Sequence, residues 1–103
     1  MTPDQAIEQQ AIEQQAVGEL VLVDVREPVE LRGGRILGAV NIPLRELRFR
    51  LQELDPDRRV AFVCRSGARS ASAARFASKA GYDAVNVRGG VGAWVRAGMS
   101  LTR

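Results

Sequence analysis

The sequence predicts an α/β domain with a mostly parallel central sheet and helices on both of its faces. Three observations carry that expectation. The chain has 103 residues, 46% apolar and 26% charged, which suits one globular domain over residues 1–103 and is too apolar for disorder. Largely apolar runs at residues 20–25, 59–64 and 84–87 are too short for helices and rich in Val, so they read as buried strands. Segments with helical spacing fall between them, and strands alternating with helices give parallel crossovers.

Residues 1–18 are expected to hold an N-terminal helix. Thr2 suits the N-cap, Pro3 the first helical position, Asp4 the first turn and Gln5 the capping-box position. The helix should run over about residues 3–16 and contains a tandem repeat, Ala6-Ile-Glu-Gln-Gln10 and Ala11-Ile-Glu-Gln-Gln15. A period of five advances about 140° around a helix, so Ile7 and Ile12 cannot share one core face. The repeat therefore reads as a duplication that lengthens the helix.

Residues 20–25 form the first expected strand, followed by a polar, glycine-containing stretch over residues 26–38. Residues 39–42 are a short strand. Pro43 then opens a helix whose Leu44, Leu47, Leu51 and Leu54 recur at helical spacing, stopped by Asp55-Pro-Asp57. Residues 59–64 are a strand ending on Cys64, and residues 65–69 a tight loop. An Ala-rich helix over residues 70–80 closes at Gly81. Residues 84–87 make a further strand, and Gly89-Gly90 turns the chain into a short helix carrying Trp94, with Gly98 beyond it.

Composition excludes several chemistries. No histidine is present, which removes Cys-His and Ser-His hydrolysis and His-bound zinc. Cys64 is the only cysteine, so no internal disulfide, CxxC pair or thiolate metal cage can form within the chain. No metal and no cofactor are expected. The net charge is +3, and the basic segment Arg45-Glu-Leu-Arg-Phe-Arg50 includes an acid and reads as a solvated helix face, so no nucleic-acid partner is expected. No window approaches a membrane span, and residues 1–5 lack the basic and apolar regions of a signal peptide. The expectation is a cytoplasmic chain with no membrane partner.

The remaining chemistry gathers at Cys64. In open parallel sheets ligands bind at the carboxyl edge, where strands end and helices begin. If Cys64 ends a strand and Ser70 begins a helix, the amides of Arg65, Ser66, Gly67, Ala68, Arg69 and Ser70 can curl into a cup around the sulfur. Gly67 supplies the backbone freedom. Amide donors, a helix start and the cations Arg65 and Arg69 all favour an anionic sulfur, and the thiolate is the nucleophile.

Four stretches, taken in order and spacing, resemble the single-domain rhodanese (sulfurtransferase) family: Asp24-Val-Arg-Glu27, Gly38-Ala-Val-Asn-Ile-Pro43, Cys64-Arg-Ser-Gly-Ala-Arg-Ser70 and Gly89-Gly-Val-Gly-Ala-Trp94. The resemblance covers residues 20–101 and implies a rhodanese-like three-layer fold. It also implies that Cys64 takes a sulfane sulfur from thiosulfate or a similar donor as a persulfide, then passes it to cyanide or a thiol. Arg65 and Arg69 would help hold the anionic donor while loop amides cradle the outer sulfur. Asp24 and Arg26 resemble the family's strand-end acid and arginine and read as a structural ion pair supporting the loop; Gly89, Gly90 and Trp94 read as turn and core anchor. A protein sulfur donor or acceptor is a further possible partner.

The sequence departs from the family where an aromatic and His-Ile-Pro-Gly-Ala are usual. Here stand Leu31 and Arg35-Ile-Leu-Gly-Ala39, so the departures fall at Leu31, Arg35 and Leu37. Two rival readings stay open. A phosphatase or arsenate reductase uses Cys, five residues, then Arg, but here Arg69 comes one residue early. A non-catalytic persulfide carrier or partner-binding module would use the same cysteine loop.

Overall fold

Strands made largely of consecutive apolar residues need cover on both sides, and the chain provides it by placing helices on both faces of the sheet. The computed structural model describes residues 20–98 and 100–102; the expected N-terminal helix and its repeat lie outside the described residues. Strands β1 (Leu20–Asp24), β2 (Val40–Asn41), β3 (Arg59–Val63) and β4 (Ala84–Asn86) form one sheet in the order β2-β1-β3-β4, every neighbouring pair parallel. Helices α1 (Leu44–Arg50), α2 (Ala68–Lys79) and α3 (Gly90–Arg96) complete the fold.

The two-residue alternation of strands divides the core. On one face Val23, Val60 and Phe62 pack with Leu47 and Leu51 and with Ala73 and Ala77 of α2. On the other, Leu20, Leu22, Ala61 and Val63 pack with Val91 and Trp94 of α3. This is the three-layer α/β arrangement the sequence predicts. The central pair runs in register from Leu20 against Arg59 to Asp24 against Val63, so β1 and β3 finish side by side. Residues 25 and 64 therefore leave the sheet at the same carboxyl edge, and the Val25 amide donates to the Val63 carbonyl at 2.9 Å.

Several boundaries differ from the sequence expectation. The strand expected over residues 39–42 shrinks to Val40–Asn41 because Asn41 turns its side chain to the end of β1. The leucine-spaced helix is α-helical only to Arg50; Leu51–Glu53 is a 3-10 turn, and Leu54, extended at its end, still reaches the core. Helix α2 begins at Ala68, two residues before the expected start, so Ala68 and Arg69 belong to its first turn and not to the loop. The stretch over residues 26–38, read only as polar and glycine-containing, forms a 3-10 helix, Pro28–Gly33. After it, Arg35 makes an antiparallel bridge with Thr102, their amides and carbonyls exchanging bonds of 2.7 Å.

The departures from the family pattern fall in this segment. Leu31 is half-buried, Arg35 is exposed and held through its backbone, and Leu37 is exposed, while Ile36 between them is buried. The segment keeps its core anchor without the usual aromatic and proline.

Candidate functional site

Cys64 is the first residue beyond β3 and is buried. Gly67 lets the chain turn from there into α2: it is the N-cap, with φ +106°, and a Cβ there would stand 3.2 Å from the Gly89 amide nitrogen. The turn brings donors to the sulfur. The Gly67 amide donates to Cys64 Sγ at 3.0 Å, and the Ser70 hydroxyl lies 3.3 Å away as a second donor. Burial pushes the thiol up; donation from the Ser70 hydroxyl and from the amides of Ser70, Gly67 and Ser66 outweighs it, so Cys64 titrates below its ordinary range.

Ser66, Gly67 and Ser70 supply the amide donors, and a hydroxyl that the sequence reading did not single out as a donor joins them. The two arginines of the loop stand in different surroundings. Arg69 is committed to a bidentate pair with Glu30, at 2.7 and 2.8 Å. That bond is the main reason Glu30 is held down to about 2, with burial opposing it and the Glu27 amide assisting. Arg65 is exposed and makes no ion pair among the described residues. It lines a cleft of about 590 Å³ with Arg96, Val91, Leu101, Gly34 and Glu30.

Asp24 and Arg26 form the structural pair read from the sequence, buried at the end of β1. Arg26 Nη2 donates to Asp24 Oδ2 at 2.8 Å and to the Gly34 carbonyl at 3.0 Å. Asn41 Nδ2 donates to the carbonyls of Asp24 and Arg26, both at 2.9 Å, which fixes the strand end beside the loop. Glu30 joins this scaffold to the Cys64 loop: it accepts from the Glu27 amide at 2.7 Å, closing a capping box, while holding Arg69. Glu27-Pro-Val-Glu30 carries Glu where a cap is usually Ser, Thr, Asp or Asn, so the sequence did not mark this box.

Asn86, the last residue of β4, was missed altogether. Ser70 Oγ donates to its Oδ1 at 2.5 Å, and its Nδ2 reaches the Gly67 carbonyl at 3.4 Å. No local pattern marks it; only the sheet order, which sets β4 beside β3, brings it to the loop. On the other side, α3 abuts the backbone of the loop. The amides of Val91 and Gly92 donate to the carbonyls of Cys64 and Arg65 at 2.8 and 3.2 Å, and a Cβ on Gly90 would run into the same two oxygens.

Fold and site together define a parallel α/β domain that presents one thiol, surrounded by donors, at the carboxyl end of a central strand. The chain belongs to the rhodanese family: it matches the rhodanese-like domain over residues 4–97. It is 40% identical over 84 residues to a protein named sulfurtransferase from Allochromatium vinosum, spanning 81% of this chain and 78% of the relative. It is 41% identical over 76 residues to the putative sulfurtransferase YtwF of Bacillus subtilis, spanning 74% of each. The crystal structure of a rhodanese-related protein from Thermoplasma volcanium superposes with a TM-score of 0.88 at 33% identity, covering 99% of this chain and 95% of that one. These relationships support a role in sulfur transfer.

Proposed function

We propose that the chain is a thiosulfate-type sulfurtransferase working through a persulfide on Cys64. The observation that carries the reading is the sulfur itself, at a strand end with the Gly67 amide at 3.0 Å and the Ser70 hydroxyl at 3.3 Å. Donors of this kind favour an anionic sulfur, both in the attacking thiolate and in the persulfide, whose outer sulfur is an anion near neutral pH. In the first step the Cys64 thiolate attacks the outer sulfur of thiosulfate. The S–S bond breaks and sulfite leaves with its electron pair. In the second step cyanide or a thiolate attacks the outer sulfur of the persulfide, and Cys64 departs as the thiolate. Neither step needs a metal or a cofactor.

Ser66, Gly67 and Ser70 would line the sulfur, with Ala68 and Arg69 opening the helix behind it. Arg65, the exposed arginine next to Cys64 in the chain, is the cation that would meet the anionic donor. Arg69 serves chiefly to fasten the loop to Glu30, and Asp24 and Arg26 support the strand end. The phosphatase reading loses ground for the same reason: its arginine must clamp an oxyanion, and here Arg69 holds a carboxylate of its own chain. A thiol that must stay reduced suits a cytoplasmic setting, and among the described residues no helix is long and apolar enough to cross a membrane.

Turnover of thiosulfate and cyanide to thiocyanate tests the proposal. Wild-type protein should catalyse it, and Cys64→Ser should abolish it with an unchanged circular dichroism spectrum, oxygen here being a poor nucleophile at neutral pH. Substantial activity in the variant would remove Cys64 as the nucleophile. A protein that takes sulfur only from a protein donor would be a carrier.

A further inference from the structure

The Ser70 hydroxyl has one proton and two acceptors within reach. Asn86 Oδ1 lies 2.5 Å from its oxygen and Cys64 Sγ lies 3.3 Å from it. Ser70 is fully buried and fixed by its place in the first turn of α2, so only rotation of the O–H decides which acceptor is served. The Asn86 amide is oriented for its part, because Nδ2 faces the Gly67 carbonyl at 3.4 Å, which turns Oδ1 toward the hydroxyl.

Which acceptor wins depends on the charge of the sulfur. A neutral sulfur is a weak acceptor, and the amide oxygen takes the proton. A thiolate makes a charge-assisted bond, roughly twice as strong as a neutral one, and draws the proton away. We propose that Ser70 and Asn86 form a hydroxyl switch in which Asn86 holds the Ser70 proton while Cys64 Sγ is neutral and yields it whenever that sulfur becomes anionic. The inference rests on Cys64 being the reacting sulfur, as proposed above. In the sulfur cycle Cys64 Sγ is anionic as it attacks the donor, neutral as the inner atom of the persulfide, and anionic again as the acceptor removes the outer sulfur. The O–H turns toward it as the S–S bond breaks and its electron pair settles on Sγ. No bond to hydrogen is broken at any stage. Ser70 touches the reacting atom, and Asn86 is a positioning residue acting through it.

Asn86 thus stabilises the neutral sulfur, and its removal favours the anion. The other charged groups around the loop are Asp24 and Arg26, closed on each other, Glu30 and Arg69, likewise paired, the exposed Arg65 in the loop and Arg88 after β4, and Arg96 in the cleft with Arg65. None of these changes between the variants below.

The test is the pH profile of Cys64 alkylation by iodoacetamide, which requires no sulfur donor and so reads the switch even if the transfer proposal fails. Asn86→Ala should lower the alkylation midpoint by roughly half to one pH unit, the worth of one neutral hydrogen bond. Asn86→Leu, similar in volume and without an acceptor, should do the same and covers the case in which Ala disturbs β4. Ser70→Ala should raise the midpoint, and adding Asn86→Ala or Asn86→Leu to Ser70→Ala should cause no further shift. A midpoint that is unchanged or raised by loss of Asn86, or an equal shift with and without Ser70, overturns the switch.

Discussion

A buried thiol keeps its proton unless nearby donors replace the hydration it has lost, and at Cys64 the replacement comes mainly from hydrogen bonds, not from cations. Ser70, Gly67 and Ser66 act directly on the sulfur, while the charge of Arg69 answers first to Glu30 and only secondarily to Cys64. Arg65 is then the arginine within the loop that, on the proposed reading, attracts the anionic donor. Two unit charges a few ångströms apart in water interact by about 1 kcal/mol. Arg65→Ala should accordingly raise the KM for thiosulfate about fivefold with little change in kcat, and should flatten the salt dependence of kcat/KM. Steady-state kinetics at two ionic strengths check this; an unchanged KM removes Arg65 as a donor ligand. At this scale the sequence was partly legible. Cys64 and its loop stand out because chemistry-bearing residues are contiguous there. Asn86 and Glu30 did not, because their partners lie 16 and 39 positions away and only the tertiary fold reveals them.

The 3-10 turn Pro28–Gly33 and α3 hold the loop from either side, each with a measurable consequence. Glu30 has an ordinary value of 4.5 and is held down to about 2 by the Arg69 hydrogen bond. A carboxylate depressed by folding adds stability above its unfolded value, and that stability is lost as pH falls through the folded one. The contribution of the Glu30–Arg69 pair is therefore complete above about 4.5 and disappears toward about 2. Urea denaturation of wild type and Glu30→Gln should differ at pH 6 and converge near pH 2; a constant difference across that range contradicts the assignment. On the α3 side, Gly90 has φ +59°, and a Cβ would strike the carbonyls of Cys64 and Arg65. Gly90→Ala should cost roughly 1–3 kcal/mol for backbone strain alone, with further loss from the clash. Gly33→Ala, with nothing within 4 Å of its Cβ, should be nearly neutral. The strands and helices themselves were legible because consecutive apolar residues and leucine or alanine spacing are local signals. Their ends were not: α2 starts early because Gly67 caps it in a left-handed conformation, which depends on Gly89 packing close by.

At the scale of the whole molecule, the parallel order β2-β1-β3-β4 makes the site. It puts the ends of β1 and β3 side by side, sets Asn86 of β4 against the loop, and lets helices on both faces bury the apolar strands. Alternating strands and helices announced this architecture, since a crossover between parallel strands requires an intervening element. The bridge between Arg35 and Thr102 was not legible, because two isolated residues carry no periodicity. The order of the strands converts a lone cysteine into a donor-lined sulfur, and the central claim is that this arrangement carries a transferable sulfur atom. The direct measurement is mass spectrometry of the Cys64 peptide after the protein is incubated with thiosulfate and desalted. The account predicts a gain of one sulfur atom on that peptide, reversed on adding cyanide. No adduct, together with release of phosphate from an aryl phosphate, would contradict it in favour of phosphatase chemistry.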